Sequence, residues 1–248
     1  MQVRRAVLLF TLMLVPALAR AAAPAPAPVT FNAADGVVVH ADLYRPDGAA
    51  RGVLLLFHQA GSSRAEYAPI APRLAALGWI ALAVDQRSGG GLFGGRNLTA
   101  AGVGGDPGYL AALPDLEAAL AYARKSFPAF RPALWGSSYS ASLVFLLAAR
   151  HPDEVAAVLA FSPGEYFAEA SVAGAAARVR LPIYVTSASD AGEEAAAAAI
   201  LAASPSPRKQ QTRAQAGVHG SATLRPDSNP TGAAANFADV AAWLDGLR

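Results

Sequence analysis

Apolar runs at residues 53–57, 80–84, 133–135, 155–161 and 183–185 show no alternation with polar positions, the pattern of strands covered on both faces. Between them, apolar residues recur at helical spacing over 67–77, 110–125, 141–150, 191–203 and 233–247. Strand and helix alternate, which predicts a mostly parallel central sheet with helices on both faces and functional groups on loops at the carboxyl ends of strands. Residues 37–44 read as an earlier strand, and the Asp35-Gly36 turn before them implies that the first two strands run antiparallel. A weak last strand is expected at 211–216. The glycine-rich stretch 89–108 reads as a surface loop, either bordering a site or without a role.

The amino end has a different character. Arg4 and Arg5 precede an apolar run at 6–19 and then small residues, which predicts a signal peptide over residues 1–22 with cleavage after Ala19, Ala21 or Ala23. The alternative is an uncleaved anchor, but the run is short for a bilayer and Pro16 interrupts it. Residues 23–28 read as an Ala/Pro-rich tether and 29–248 as one folded domain. The expected location is the periplasm or the medium, with no membrane attachment once the signal is removed.

Composition narrows the partners. The chain has 248 residues, 54% of them apolar and only 15% charged, which excludes charge-rich disorder. Its 20 basic residues exceed the 18 acidic ones, yet Arg4, Arg5 and Arg20 lie in the signal segment. Without them 17 basic residues face 18 acidic ones, so no footprint for nucleic acid remains. There is no cysteine, hence neither disulfide nor acylated cysteine. Nothing in the pattern fixes an oligomeric state.

The apolar strand 133–135 runs through Gly136-Ser137-Ser138-Tyr139-Ser140 into an apolar helix. A serine on so tight a strand-to-helix turn sits at a helix N-terminus, where free N–H groups favour developing negative charge, and small residues two positions either side let strand and helix cross closely. Ser138 occupies the apex, with Gly136 and Ser140 as the small flanks. The alternative is that Ser137 or Ser138 merely caps the helix.

A serine hydroxyl needs a base, and there are four histidines. His40 lies in the early strand, His58 ends the first parallel strand, and His151 follows a helix beside Pro152. His219, in a small-residue loop before the last helix, is the candidate base. Asp190, directly after a buried strand, is the candidate acid that orients it, with Glu165 and Glu193 as substitutes. Asp190 followed by Glu193 is equally a helix start. The oxyanion is expected to meet the backbone N–H groups of Tyr139 and of Ala60, with Gln59 as the second choice for the latter. No metal-ligand cluster, P-loop or G-x-G-x-x-G is present, so no metal or organic cofactor is expected.

FHQAG at 57–61, VDQRSGGG at 84–91, GSSYS at 136–140, SPGEYF at 162–167, SD at 189–190 and VHG at 218–220 stand in the order found in α/β-hydrolases. Over residues 29–247 the chain resembles that superfamily, and within it the small dienelactone-hydrolase-like proteins. It departs from them in carrying Ser138 where dienelactone hydrolases have cysteine, and Gln59 and Ser140 in place of family glycines. The resemblance implies an α/β-hydrolase fold with no large lid domain, since 164–181 leaves space only for a short helix or loop. It further implies a serine hydrolase, exported on the strength of the signal segment, that cleaves a small-molecule carboxylic ester through an acyl-enzyme on Ser138, Asp190 and His219. A peptidase or thioesterase on the same machinery, or a non-catalytic binding protein, are the alternatives. Gln59 and Tyr166 are the expected substrate contacts. Tyr67, Phe93, Tyr139 and Phe167 are further wall candidates, and Arg87 and Arg96 either hold an anionic substrate or form structural ion pairs.

Overall fold

A computed structural model describes residues 25–105 and 107–247. The predicted signal peptide at 1–22 lies outside the described residues. Two strands open the fold, β1 (Ala27–Asn32) and β2 (Val38–Tyr44), paired antiparallel across the Asp35-Gly36 turn as expected. The fold therefore starts two residues earlier than the sequence implies, because Ala27 and Pro28 join the sheet instead of the tether. Pro28 fits there since β1 is an edge strand, with a neighbour on one side only.

From β3 (Gly52–Phe57) onward the chain alternates through α1 (Ala71–Ala76), β4 (Trp79–Val84), α2 (Leu98–Val103), α3 (Leu113–Ser126), β5 (Ala133–Ser137), α4 (Tyr139–Arg150), β6 (Ala157–Phe161), α5 (Val172–Ala176), β7 (Ile183–Thr186), α6 (Ala191–Ala203), β8 (Lys209–Gln211) and α7 (Ala233–Asp245). The strands form one eight-stranded sheet in the order β1-β2-β4-β3-β5-β6-β7-β8, parallel from β4 to β8. Both faces are covered, which is why the runs lack alternation. On one face Val53, Leu55 and Phe57 pack with Leu116 of α3, Phe145 of α4 and Ile200 of α6. On the other, Leu54 and Leu56 pack with Leu74 of α1 and Val240 and Leu244 of α7.

Several boundaries differ from the sequence reading for identifiable reasons. The segments 67–77 and 110–125 each break into a 3-10 turn and a helix, with Pro72 and Pro114 in the first turns of α1 and α3 where no N–H is required. The 89–108 stretch is not all loop, because Asn97 caps α2 by accepting the Ala100 N–H at 2.8 Å. The last strand lies at 209–211, pairing with β7, instead of 211–216. Only α5 stands between β6 and β7, so no large lid domain is inserted between these two strands. None of the described helices is long and apolar enough to cross a membrane.

The tightest crossing is β5 against α4. A Cβ on Gly136 would overlap the backbone of Ser140 and Ala141, whereas one on Gly102 in α2 would meet nothing. Gly136→Ala is expected to destabilise the fold by about 3 kcal/mol or more, while Gly102→Ala, which adds a better helix former, gains up to about 1 kcal/mol. Urea unfolding midpoints of the two variants against the parent check both signs.

Candidate active site

Parallel pairing brings Phe57 beside Gly136, Ser137 beside Phe161, and Phe161 beside Thr186. The loops that follow these strands therefore share one edge of the sheet. Ser138 stands there at φ 58 and ψ −125, a conformation that non-glycine residues avoid. It is held by its N–H on Phe161 O and its carbonyl on Ala141 N, both at 2.8 Å. The Ser138 side chain makes no capping bond to α4, although the residue holds the N-cap position, and Ser137 Oγ donates to Glu66 Oε1 at 2.6 Å, so neither hydroxyl caps the helix.

Ser138 Oγ lies 2.8 Å from His219 Nε2, and His219 Nδ1 lies 2.8 Å from Glu193 Oε1. A carboxylate can only accept, so Nδ1 carries the proton and Nε2 is free to accept from the serine hydroxyl. The structure thus joins Ser138 and His219 but gives the carboxylate position to Glu193, not to Asp190. Asp190 Oδ1 is spent on the Gly192 and Glu193 N–H groups at 2.9 and 3.0 Å, capping α6. Glu165 is likewise occupied, accepting Val172 N and Ala173 N at 2.7 Å at the start of α5. Burial works against the Glu193 charge, but hydrogen bonds from Ser162 and His219 outweigh it and hold its pKa below the ordinary 4.5.

Ser162 was not singled out by sequence reasoning. It directly follows β6 at φ 58, accepts the Gly220 N–H on Oγ at 2.9 Å, and hydrogen bonds to Glu193. One hydroxyl thereby links the carboxylate to the loop that carries His219.

The turn after β3 is pinned at both ends of one residue. Gln59 N–H donates to Glu66 Oε2 at 2.7 Å, and Gln59 O accepts from His58 Nδ1 at 2.8 Å. His58 Nε2 accepts the Gln86 N–H at 3.0 Å, which fixes the tautomer. Burial lowers the His58 pKa, so the ring is a neutral brace and not a base. With its N–H taken, Gln59 is not an oxyanion donor. The N–H groups of Ala60 and Tyr139 have no hydrogen-bond partner among the described residues. Ser140, in place of a family glycine, donates to His58 O at 2.6 Å and accepts from Gln86 Nε2 at 2.5 Å, so its extra atoms tie α4 to this turn.

The remaining candidates divide by location. The Gln59 side chain is buried beneath Gly220, its Oε1 without a partner among the described residues. Tyr67 is core, its hydroxyl on Phe57 O at 2.6 Å, and Tyr139 is buried with its hydroxyl on Ser88 O at 3.0 Å. Phe93 lies under the Arg225 guanidinium at 4.2 Å. Tyr166 and Phe167 line an open cavity of about 550 Å³. Arg87 pairs with Asp35 and Asp115 at 2.5 and 2.7 Å and is a structural ion pair, not an anion clamp. Arg96 faces a different pocket, beside Asp42 and Tyr44.

A mixed sheet of this order, a strained serine between β5 and α4, and a histidine after the last strand define an α/β-hydrolase. Residues 48–194 match the family described as serine aminopeptidase, S33, and the chain belongs to that family. It is 27% identical over 134 residues to a monoacylglycerol lipase of Mycolicibacterium smegmatis, a stretch spanning 54% of this chain but only 45% of that protein. The fold is similar to that of a dienelactone hydrolase from Anabaena variabilis, with a TM-score of 0.70 and 18% identity, over 92% of this chain and all of that one. It is also similar to Est1E of Butyrivibrio proteoclasticus, solved with ferulic acid bound, at a TM-score of 0.70 and 14% identity over 88% and 99% of the two chains.

Glu66 is wholly buried, and burial pushes its pKa from the ordinary 4.5 up to about 7 against the opposing hydrogen bonds of Ser137 and Gln59. A carboxyl raised on folding contributes stability that is present below pH 4.5 and lost as pH rises through about 7. Glu66→Gln removes that titration, so its stability relative to the parent is expected to rise by a few kcal/mol from pH 4.5 to 8. Chemical unfolding of both proteins across that range measures the difference, in which His58 cancels. A constant difference would exclude a titrating Glu66.

Proposed function

We propose that the chain is an exported serine hydrolase of carboxylic esters, with Ser138 as nucleophile, His219 as general base and Glu193 as the carboxylate that orients it. The observation that carries this reading is the unbroken line of hydrogen bonds from Ser138 through His219 to Glu193, beside two N–H groups without partners among the described residues. In the reaction, His219 Nε2 takes the hydroxyl proton as Ser138 Oγ bonds to the ester carbon. The tetrahedral oxygen lies between the Ala60 and Tyr139 N–H groups, where fixed donors are worth most. Collapse expels the alcohol, which receives the proton from His219, and leaves an acyl-enzyme. Water, deprotonated by the same imidazole, then releases the acid and restores Ser138.

Ester cleavage is favoured over amide or thioester cleavage because the similar proteins are named as a lipase, a dienelactone hydrolase and esterases. The family's own description keeps a peptidase as the second reading. Export is supported by the signal-like pattern at 1–22.

A fluorophosphonate probe is expected to label the parent and not Ser138→Ala, and failure to label folded parent protein would favour a binding protein. With an activated ester, Glu193→Gln is expected to lower kcat on the order of 10³-fold or more. Asp190→Ala is expected to cost about 1 kcal/mol of stability through the lost cap and leave kcat within a few-fold. The reverse pattern would return the role to Asp190. Expressed from the full gene, the protein should appear in the periplasm or medium, and amino-terminal sequencing should find cleavage after Ala19, Ala21 or Ala23.

A further inference from the structure

Two large side chains near Ser138 are partly exposed to solvent. Tyr109 is 41% exposed and Tyr166 37%. Both line the cavity of about 550 Å³, together with Leu110 and Phe167. The Tyr109 ring stacks on Tyr139 at 4.7 Å and 19°, and Tyr139 is buried directly after the nucleophile. One face of Tyr109 is thus fixed on Tyr139, while the side chain as a whole stays 41% exposed. On the far side, the Tyr166 hydroxyl donates to Ser162 O at 3.0 Å, next to Phe161, whose carbonyl accepts the Ser138 N–H, so that ring is held at the same sheet edge as Ser138.

The charges around this cavity point the same way. Among its described lining residues the only charged one is Glu169. The arginines singled out for an anionic substrate are elsewhere, Arg87 in its ion pairs and Arg96 in another pocket. A carboxylate-bearing acyl group would find no cation here and would meet Glu169. A flat ring would find two pre-positioned tyrosine faces, and such pairs favour an aromatic partner by about threefold to tenfold beyond the area buried.

We propose that this cavity is the acyl subsite and that it takes an uncharged arylalkanoyl group, its ring held by Tyr109 and Tyr166. The inference rests on the reading of Ser138 as nucleophile, since it assigns the cavity to the acyl side of that serine. It accounts for why Tyr109 and Tyr166 stand exposed while Tyr67 and Tyr139 are buried.

The test compares p-nitrophenyl 3-phenylpropanoate with p-nitrophenyl 3-cyclohexylpropanoate. They share a leaving group and a saturated carbon next to the carbonyl, so they differ in the flatness of the ring and not in chemical reactivity. The parent is expected to show kcat/KM about fivefold or more higher for the phenyl ester. Tyr109→Leu should bring the ratio near one, and Tyr109→Phe should restore it. Calorimetry on folded Ser138→Ala with 3-phenylpropanamide and 3-cyclohexylpropanamide should show the same preference without turnover. Ester turnover through Ser138 with no phenyl preference, or a preference unmoved by Tyr109→Leu, would overturn the subsite and leave the proposed reaction standing. Phenylpropanamide preference in a protein that cleaves no ester would sustain the subsite and overturn the reaction.

Discussion

Everything at the site depends on how closely β5 and α4 cross. Gly136 leaves no room for a Cβ beneath Ser140, and this contact turns the chain sharply enough to force Ser138 to a positive φ. The strain is over-determined by the Phe161 and Ala141 hydrogen bonds on either side. A looser turn would let Ser138 relax into a helix cap, its hydroxyl folded back on α4 instead of aimed at His219. The packing of two apolar elements and the direction in which one hydroxyl points are thus the same constraint seen at two scales.

Beneath that turn lies a polar layer in which nearly every group serves two loops. Ser137 Oγ donates to Glu66 and accepts the Ser221 N–H, joining the elbow to the segment after His219. Ser140 joins α4 to the turn after β3, and Ser162 joins the end of β6 to the loop of His219. Loops that carry function are usually the mobile parts of a fold. Here serine hydroxyls, each small enough to sit at a strand end, fasten four of them to one another.

The order and type of most elements were legible because strands buried on both faces and helices buried on one leave different hydrophobic spacings. The boundaries set by Pro72 and Pro114 follow from local rules, but the entry of Ala27 and Pro28 into the sheet does not, since an exposed edge strand leaves no burial pattern. The pairing of Ser138 with His219 was readable from one motif and the chemistry it requires. The choice of carboxylate was not. Asp190 and Glu193 form one helix start whichever of them faces the imidazole, and only the direction of α6 decides. Glu66 and Ser162 were invisible for another reason, because their partners Ser137 and Gly220 lie 71 and 58 positions away and no local pattern encodes the pairing.

The grip on Gln59 has a further consequence for the molecule as a whole. The imidazole of His58 holds its carbonyl and the carboxyl of Glu66 its amide, and burial drives the two groups in opposite directions. In mildly acidic solution the chain gives up a proton at one of them as it folds and takes one up at the other. Their pH dependences carry opposite signs, the His58 contribution growing and the Glu66 contribution shrinking as pH rises, so each tempers the other.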